Sequence, residues 1–465
     1  MRTISGFLIL LLSGLALADA PRDGLLDPSF GAAGVALVER PASATWRFER
    51  LRGMALQPDG KVLLLGSVRE AAGGTFRPVV VRLGTDGALD SSFGTGGIAV
   101  VDVPGAQFAN GLVAHQAVVF AGGRIVVIAA VVANVPSLAF NGCVAVFALD
   151  GSGQLEAQFG PAPGPACIDL GAAGFDTFTE PPGAVAALAA GGLIIGGPAA
   201  SAVQPFSAAV RLTADGLLDT TFGTGGVRAY GGAFSGGSGR KPGIALRSGS
   251  FFAGGASAGL RGVFASDADL APSAGFGSAG FGGGQWAAPT IVNELFSFDV
   301  DVAGRVILAG IARTSFDAIA CNFCVTRLTA AGVVDQTFNP TGGLPGSVLL
   351  TVPGSNSLVV RALARSDGRV LLVGYSYEGT TNPENPDVLL VSRRTDGDAD
   401  ARFGDPATAG MRIIDIGPGR FDITGDAALQ PDGRIVVAAG SRGPDGWAYS
   451  ASRLLDDAVS SNGFE

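Results

Sequence analysis

A nine-residue phrase, Asp-Gly-x-Leu-Asp-x-x-Phe-Gly, recurs along this chain and restricts its fold more than any other feature of the sequence. Its clear and weaker copies place the phrase phenylalanine at Phe30, Phe93, Phe159, Phe222, Phe276, Phe338 and Phe403. The spacings are 63, 66, 63, 54, 62 and 65 residues, and Phe464 follows after a further 61. A period of this length indicates a repeat architecture, in which each unit buries its core against its neighbours.

A second phrase follows the same period. It reads ALQPDGKVLLLG from Ala55 and ALQPDGRIVVAAG from Ala428, with five weaker copies between them. Pro-Asp-Gly favours a hairpin turn, because Pro fixes φ, Asp bonds locally and Gly accepts a positive φ. The strand after the turn is a continuous apolar run, as at 62–65, 125–132 and 370–373. A run without polar alternation predicts a strand that is buried on both faces.

Each unit contains four candidate strands. One follows Phe-Gly, one leads into the Asp-Gly turn, one leaves it, and one ends in Arg-Leu before the next copy of the first phrase. A four-stranded antiparallel sheet with two buried faces needs a sheet on either side, and radial repetition around an axis supplies both. A straight solenoid would need atypical capping repeats, whereas this chain begins and ends in the same phase.

The sequence therefore predicts an all-β fold, a seven-bladed β-propeller of about 62-residue four-stranded repeats. The propeller is expected over residues 21–465. Its repeats are expected near 31–93, 94–159, 160–222, 223–276, 277–338, 339–403 and 404–464.

The two phrases together resemble those of the delta-60 repeat proteins, which look like bacterial β-propellers. The resemblance covers roughly 23–464, and the paired phrases DGxLDxxFG and LQPDGK carry it. It implies a propeller fold and a place outside the cytoplasm, and it implies no particular activity.

The charge balance of the chain is acidic. There are 31 Lys and Arg residues against 40 Asp and Glu residues, which gives a formal net charge of −9. Binding to nucleic acid requires a dense basic surface that neutralises phosphates, and the sequence contains no cluster of Lys and Arg. Nucleic acid and an anionic membrane surface are therefore excluded as expected partners.

Residues 1–18 have the pattern of a secretory signal peptide. An apolar run covers 7–18 after a basic start, and small residues stand at Ala16, Ala18 and Ala20. The run is shorter than the roughly 20 residues that cross a bilayer, so we predict no transmembrane segment. We expect cleavage after Ala18, with Ala20 as the alternative, and a secreted, periplasmic or cell-surface protein of a bacterium.

Four cysteines, Cys143, Cys167, Cys321 and Cys324, fit an oxidising compartment. Four thiols allow three pairings, and the sequence leaves all three open. Cys321 and Cys324 are close enough to pair with each other. Their Cys-x-x-Cys spacing also occurs in redox motifs and in half of a zinc site. No second such pair and no neighbouring His is present, so a structural disulfide is favoured.

The connections opposite the stereotyped turns vary from unit to unit, and loops on a rigid scaffold are where binding usually resides. Trp46 and Trp447 lie in two of these loops, and Tyr375 and Tyr377 begin a third, over 374–387. Cys143 and Cys321 fall in matching loops. We predict that any ligand site lies on this face or at the adjoining channel mouth. The alternative is that these aromatic side chains only pack against blade edges.

Catalytic and metal motifs are absent from the sequence. The chain has one histidine, His115, so a Ser-His-Asp triad has only one possible base, and the apolar residues that follow His115 favour a structural role. No metal site and no cofactor are predicted, although the acidic loop at 396–400 leaves calcium open. Most Asp residues recur at repeat positions, which favours turn and capping roles over a catalytic pair.

These observations predict a non-enzymatic binding or scaffold module. Its partner is an unknown protein or glycan, and we expect the chain to be a monomer. The alternative is a propeller enzyme of the glycoside hydrolase or lyase type that acts on an extracellular polysaccharide. Acidic side chains that converge from one or two units would favour the enzyme, and exposed aromatic side chains without them would favour recognition.

Overall fold

A computed structural model describes residues 23–70, 73–102, 108, 110–134, 139–161, 165–168, 170, 177–178, 184–188, 191–200, 205–230, 244–247, 250–257, 260–267, 269–278, 280–284, 292–313, 319–350, 357–377, 386–404 and 408–456. The predicted signal peptide and Phe464 lie outside these residues. Within them the named secondary-structure elements are all β-strands, and no helix is long and apolar enough to span a membrane.

One sheet has nine strands and contains both ends of the described chain. Its main path runs in the order β28 (Phe421–Leu429), β29 (Ile435–Gly443), β30 (Gly446–Leu454), β2 (Trp46–Phe48), β4 (Val62–Glu70), β5 (Arg77–Leu83) and β6 (Ile98–Val100). Two further strands, β1 (Val35–Val38) and β3 (Gly53–Leu56), pair with β30 and β4, respectively.

Five other sheets stand alone as blades. The first contains β7 (Leu112–Val119), β8 (Ile125–Asn134), β9 (Ala139–Leu149) and β10 (Ala166–Cys167). The second contains β11 (Thr177–Phe178), β12 (Ala184–Ala187), β13 (Leu193–Ala200), β14 (Pro205–Leu212) and β15 (Val227–Tyr230). The third contains β16 (Ile244–Arg247), β17 (Ser250–Ser257), β18 (Leu260–Ser266) and β19 (Phe281–Gly284). The fourth contains β20 (Val292–Val300), β21 (Val306–Arg313), β22 (Ile319–Leu328) and β23 (Ser347–Leu350). The fifth contains β24 (Leu358–Ala364), β25 (Val370–Ser376), β26 (Asp387–Arg393) and β27 (Met411–Ile414).

The strand that follows Phe-Gly folds back onto the strand that precedes the phrase. Strand β6, for example, pairs with β5 and places Val79 opposite Val100. A four-stranded blade therefore begins at the strand that leads into the Asp-Gly turn, and the strand after Phe-Gly is its last strand. The sequence repeat is thus offset from the blade by one strand.

The hydrophobic core lies between neighbouring sheets. Leu64 of β4 packs with Val436 of β29, whereas the next residue, Leu65, packs on the other face with Val127 of β8. All four side chains are fully buried or nearly so. Successive residues of a strand point to opposite faces, so the predicted apolar runs supply both faces of each sheet. Sheets stacked face to face in this way make the chain an all-β β-propeller.

The first strand of several sheets carries a bulge at a matching place. The register shifts occur between residues 114 and 116, 295 and 297, 359 and 361, and 424 and 426. His115 is the extra residue of the first of these bulges. Because the same irregularity recurs in other units, the position of His115 belongs to the architecture of the first strand.

An arginine at the end of the third strand joins each of several sheets to the next. Arg82 donates to the Asp90 carboxylate at 2.8 Å and to the carbonyl oxygen of Gly151 at 2.6 Å. Its guanidinium lies 4.4 Å from the ring centre of Phe93. Gly153, at φ +84°, packs on the same ring, and a Cβ there would lie only 2.8 to 3.0 Å from three of its atoms. The spacing that recurs in the copies of the phrase thus builds one inter-sheet contact.

The first and last strands of the described residues meet in this same contact. Strand β1 runs antiparallel to β30, with Val35 opposite Ser452. Arg453 donates to the carboxylate of Asp27 at 2.8 Å, and its guanidinium lies 4.6 Å from the ring centre of Phe30. The first copy of the phrase therefore completes the last sheet.

Candidate functional site

The propeller has two unlike faces. In an antiparallel sheet, alternate connections lie at opposite ends of the strands. The Asp-Gly turns and the Phe-Gly phrases lie at one end. The connections between the second and third strands, and those between one sheet and the next, lie at the other end, which we call the variable face.

The structure places the four predicted aromatic residues at the variable face but mostly in strands. Trp46 lies in β2, Tyr375 lies near the end of β25, and Trp447 is the second residue of β30. Tyr377 directly follows β25 as predicted. The loop assignment was wrong for the other three because the strands extend further than expected: β29 and β30 pair as far as Gly443 and Gly446.

Tyr375, Tyr377, Phe421 and Trp447 form a continuous set of edge-to-face contacts, which we call the aromatic row. The ring centres of Tyr375 and Tyr377 are 5.4 Å apart. Tyr377 lies 6.3 Å from Phe421, and Phe421 lies 6.2 Å from Trp447. These separations are within the range of favourable aromatic pairs. The row joins two sheets, since Tyr375 belongs to β25 whereas Phe421 and Trp447 belong to β28 and β30.

Trp46 is linked to the aromatic row by the buried side chain of Phe48. Phe48 pairs with Trp447 between β2 and β30, and its ring centre lies 5.3 Å from that of Trp46. The other side of Phe48 stacks on Tyr449 at 4.4 Å. The Tyr449 hydroxyl accepts a hydrogen bond from the Ser67 amide and donates to the Ser67 carbonyl oxygen. A rigid buried base therefore holds Trp46 and Trp447.

The aromatic residues differ in exposure. Tyr375 is buried, with 3% of its surface accessible. Tyr377, Phe421, Trp447 and Trp46 are half-buried. Trp46 and Trp447 pack against the core shared by β4, β29 and β30. Each of these four half-buried side chains thus has one part fixed by packing and another part open to a ligand.

Three aspartates converge beside the aromatic row and form what we call the acidic cluster. Asp387 begins β26, Asp415 follows β27, and Asp422 is the second residue of β28. One carboxylate oxygen from each lies within 4.8 Å of the other two. The cluster lies between two sheets at the variable face, and Asp422 directly follows Phe421 of the row.

Backbone hydrogen bonds hold the cluster in shape. The Ile416 amide donates to Asp422 Oδ2 at 3.0 Å, and the Gly417 amide donates to Asp415 Oδ1 at 2.9 Å. The Asp422 amide donates to the carbonyl oxygen of Pro386 at 2.7 Å. Burial raises the pKa of Asp422 and the nearby Asp415 carboxylate adds to this, although the Ser441 hydroxyl and the Ile416 amide act in the opposite direction. Burying these charges costs free energy, and interactions with a partner have to offset that cost.

One cation also contacts this region. Arg420 pairs with Glu39 and directs a second guanidinium nitrogen to the carbonyl oxygen of Ser441 at 3.5 Å. Its charge lowers the pKa of Asp422 less than burial raises it.

The acidic loop for which the sequence left calcium open is paired with arginines. Asp396 and Asp398 both accept from Arg394, at 2.9 and 2.8 Å. Asp400 accepts from Arg369 at 2.8 Å and from the Ser392 hydroxyl at 3.0 Å. The arginines supply positive charge where a cation would otherwise be needed.

The four cysteines form two disulfides. Cys143 of β9 bonds to Cys167 of β10, and Cys321 bonds to Cys324 within β22. Cys143 and Cys321 therefore lie in strands rather than loops. An apolar cavity of about 300 Å³ lies beside Cys167, with Val146, Ile168 and Leu218 in its lining. None of its lining residues belongs to the aromatic row or the acidic cluster.

Phe421 and the three aspartates were missed by reasoning from the sequence. They lie at strand ends and in the link between two sheets, and no phrase or spacing marks them. Phe421 follows Tyr377 by 44 positions in the chain, so only the stacking of two sheets brings these residues together. The segments that link one sheet to the next lie on the same face as the predicted aromatic residues. Acidic and aromatic residues in those segments are therefore the signal that could have identified Phe421 and the three aspartates.

Two stretches of the chain, 57–93 and 191–222, match the model of a family described as a domain of unknown function (DUF5122) beta-propeller. Each stretch contains an Asp-Gly-x-Leu-Asp-x-x-Phe sequence. The match supports a bacterial β-propeller family. No curated protein matches the chain.

Several solved structures are similar to the chain over most of its length. The polysaccharide lyase Uly1 is 10% identical, with a TM-score of 0.47 over 94% of this chain and 97% of that one. The PQQ-bound aldose sugar dehydrogenase from Streptomyces coelicolor is 10% identical, with a TM-score of 0.40 over 73% and 94%. The β-propeller domain of the Trilobed protease from Pyrococcus furiosus is 9% identical, with a TM-score of 0.40 over 90% and 100%. Identities of this size carry no information on ligand or activity.

Proposed function

We propose that this protein is a non-enzymatic binding module whose contact surface is the aromatic row together with Trp46. The observation that carries the proposal is the gathering of four half-buried aromatic side chains from different strands onto the variable face. Tyr and Trp are enriched at binding hot spots, because they offer large amphipathic surfaces at a low entropic cost. The partner is a protein or a glycan, and the chain acts as a monomer.

The scaffold of this surface is a seven-bladed ring. Five sheets stand alone, and the nine-stranded sheet divides at the short strand β2 into β28-β29-β30-β1 and β3-β4-β5-β6. The first strands support closure, because contacts between them run from β3 through β7, β12, β16, β20, β24 and β28 and return to β3. This count matches the seven copies of the second phrase, and it supports the proposal that the chain is a delta-60 repeat protein.

The module works outside the cytoplasm, as the signal-like residues 1–18 predict. The two disulfides support this location, since such bonds persist in oxidising compartments. We place it in the periplasm, at the cell surface or in the medium of a bacterium.

A capture experiment with mature protein tests the binding proposal. The test variant combines Trp46→Ala, Tyr377→Ala and Trp447→Ala, and it leaves the buried Tyr375 intact. The control variant combines Val302→Ala and Val333→Ala, two exposed apolar residues near the stereotyped turns. Both variants are first compared with wild type by circular dichroism and thermal melting. Glycan arrays and extracts of envelope proteins are then probed with all three proteins.

We expect wild type and the control variant to capture the same partner and the folded test variant to lose it. Equal capture by all three proteins would remove the aromatic row from the binding site. Capture that is lost only in the control variant would move the site to the opposite face.

The alternative function is a glycoside hydrolase or lyase that acts on an extracellular polysaccharide. The acidic cluster favours the glycoside hydrolase, because most such enzymes use a pair of carboxyl groups. Turnover of acidic and neutral polysaccharides, measured by reducing ends and by absorbance of unsaturated products, tests this alternative. Turnover that Asp415→Asn abolishes would replace the binding proposal with the enzymatic one.

A further inference from the structure

The acidic cluster contains buried oxygen atoms whose hydrogen-bonding capacity is unused. Asp422 and Ser441 are fully buried and stand opposite each other in the register of β28 and β29. Within the described residues, Asp422 Oδ1 and Ser441 Oγ have no partner at hydrogen-bonding distance and angle, although the Ser441 hydroxyl is near enough to lower the pKa of Asp422. Most buried polar side-chain atoms have a partner, so two neighbouring ones without a partner require an explanation. A bound ligand supplies it.

The donor set defines the chemistry of that ligand. Asp387, Asp415 and Asp422 offer carboxylate oxygens, and Ser441 adds a hydroxyl oxygen. A set made only of oxygen atoms suits the hard cations Ca²⁺ and Mg²⁺, whereas Zn²⁺ sites use histidine or cysteine. The three aspartates bring three negative charges, and Arg420, the cation that lowers the pKa of Asp422, is also engaged with Glu39. The charge therefore also calls for a cation.

The spacing of the oxygens is compatible with Ca²⁺, and the reluctance of Mg²⁺ to lose its water favours Ca²⁺ at a site made mainly of protein oxygens. The three carboxylate oxygens lie within 4.8 Å of one another. Two ligands of one Ca²⁺ ion, bound at about 2.3–2.6 Å, can be separated by up to roughly 5 Å. Mg²⁺ binds at about 2.0–2.1 Å in strict octahedral geometry and retains most of its water. We propose that Asp387, Asp415, Asp422 and Ser441 form a calcium-binding site between two blades.

Such an ion would add to the hydrogen bonds that join the two sheets here, among them the one from the Asp422 amide to the Pro386 carbonyl oxygen. Asp387 and Asp415 flank strands of the sheet β24–β27, whereas Asp422 and Ser441 belong to β28 and β29. Bound Ca²⁺ would therefore fix the start of β28, where Phe421 of the aromatic row lies. The site goes beyond the proposed binding function, because it assigns a ligand to the aspartates whatever partner the aromatic row contacts.

Calorimetric titration with CaCl2 tests the site, using full-length mature protein that has been treated with a chelator and dialysed. We expect one Ca²⁺ per chain, binding weaker by at least tenfold for Mg²⁺, and a rise in melting temperature on addition of Ca²⁺. Asp415→Asn is the main variant, because Asp415 is exposed and the change keeps the shape of the side chain. It should weaken Ca²⁺ binding by about tenfold or more, since calcium affinity follows the number of charged ligands.

Two further variants serve as a second test of the site and as a control. Asp387→Asn, from the other strand of the same sheet, should weaken binding as Asp415→Asn does and stands in for it if that variant does not fold. Asp398→Asn is the matched control, because Asp398 is an exposed aspartate of the arginine-paired loop. Its calcium affinity should equal that of wild type. The absence of heat and of a melting shift up to about 10 mM Ca²⁺, above the weakest protein sites, would overturn the proposal. Unchanged affinity in both cluster variants would also overturn it.

Discussion

An arginine stands eight residues before the second Asp of the phrase, as Arg327 does before Asp335, and its contacts explain why the residues of the phrase are spaced as they are. Arg327 donates to Asp335 at 2.7 Å, to the Thr337 hydroxyl at 3.2 Å and to the carbonyl oxygen of Thr395 at 2.6 Å. Its guanidinium also lies 4.7 Å from the ring centre of Phe338. Only a planar group with several fixed donors can make these contacts together, which explains the spacing of Arg, Asp and Phe in the phrase.

Replacing Arg327 by lysine should destabilise the protein although the charge is kept. A lysine ammonium cannot reach the aspartate, the hydroxyl and the carbonyl at the same time, so buried acceptors lose their partner. We expect a loss of about 2 kcal/mol in the free energy of unfolding, from the usual value of hydrogen bonds to charged groups. Chemical denaturation measures it. Arg394→Lys, at a half-exposed arginine, should change stability by less than about 0.5 kcal/mol, and equal losses in the two variants would contradict this account.

The second aspartate of the phrase, Asp90 in one copy and Asp219 in another, should make the fold sensitive to acid. The Ser92 hydroxyl, with Lys61 and Arg82, holds the pKa of Asp90 well below its ordinary value, and the Thr221 hydroxyl and Arg211 do the same for Asp219. A carboxyl group with a lowered folded-state pKa stabilises the fold fully above its unfolded value of about 4 and loses this effect as the pH falls further.

We therefore expect the denaturant midpoint of wild type to fall between about pH 4 and pH 2. Asp90→Asn should be less stable at pH 7, and its difference from wild type should shrink over the same interval. Burial raises the pKa of Asp23, which has the opposite sign, so the comparison of wild type with variant isolates the phrase carboxylate. A difference that stays constant with pH would contradict the assignment.

At the scale of strands, the sequence predicts the fully buried strands well, and it predicts the positions at which strands end less well. The apolar runs after the Asp-Gly turns are confirmed as the buried strands β4, β8 and β25. The assignment of Trp447 to a loop failed, because its polar and glycine-rich surroundings resemble a turn while the strand ladder continues to Gly443. The sequence period did not predict that β6 pairs with β5. A period gives the length of the repeating unit but not the strand at which each blade begins.

The disulfide between Cys143 and Cys167 should stabilise the blade that it closes. It holds the two-residue strand β10 against β9 and spans 24 positions of the chain. Cross-linking a loop of this length restricts the unfolded chain and stabilises the fold by about 3 kcal/mol in the chain-entropy model. Cys143 is half-buried and Cys167 is exposed, so serine fits at both positions.

The variant with Cys143→Ser and Cys167→Ser should therefore lose about 3 kcal/mol in urea unfolding without reductant. In the presence of reductant that opens this disulfide, wild type should approach the variant. A variant as stable as oxidised wild type would show that the cross-link does not limit the unfolded chain.

At the scale of the whole molecule, the candidate site is a product of stacking. Tyr375, Tyr377 and Trp447 could be selected from the sequence as unusual residues on one face. Their contacts through Phe421, and the convergence of Asp387 with Asp422, depend on the angle and distance between two sheets. No local propensity encodes such a relation, so the sequence identifies the face but not the arrangement of its side chains.

The pairing of the N-terminal strand with the last sheet is the other feature of the whole molecule. Strand β1 covers the edge of β30, and buried Ala36 and Val38 fill the core behind it. Asp23 adds a buried pair with Arg365, at 2.9 Å. Without these residues β30 presents unpaired backbone groups and exposed apolar surface, which is an unfavourable edge.

A chain that begins at Pro41 should therefore be much less stable than wild type, and it should bind a synthetic peptide of residues 23–40. The peptide would restore the antiparallel ladder and the contacts of Arg453, and its binding to the folded form alone would raise the melting temperature in proportion to the logarithm of its concentration. A peptide with Val38→Asp, which places a charge at a position that is 4% exposed, should not do so. If the shortened chain melts like wild type, or both peptides act alike, β1 does not stabilise the edge of β30.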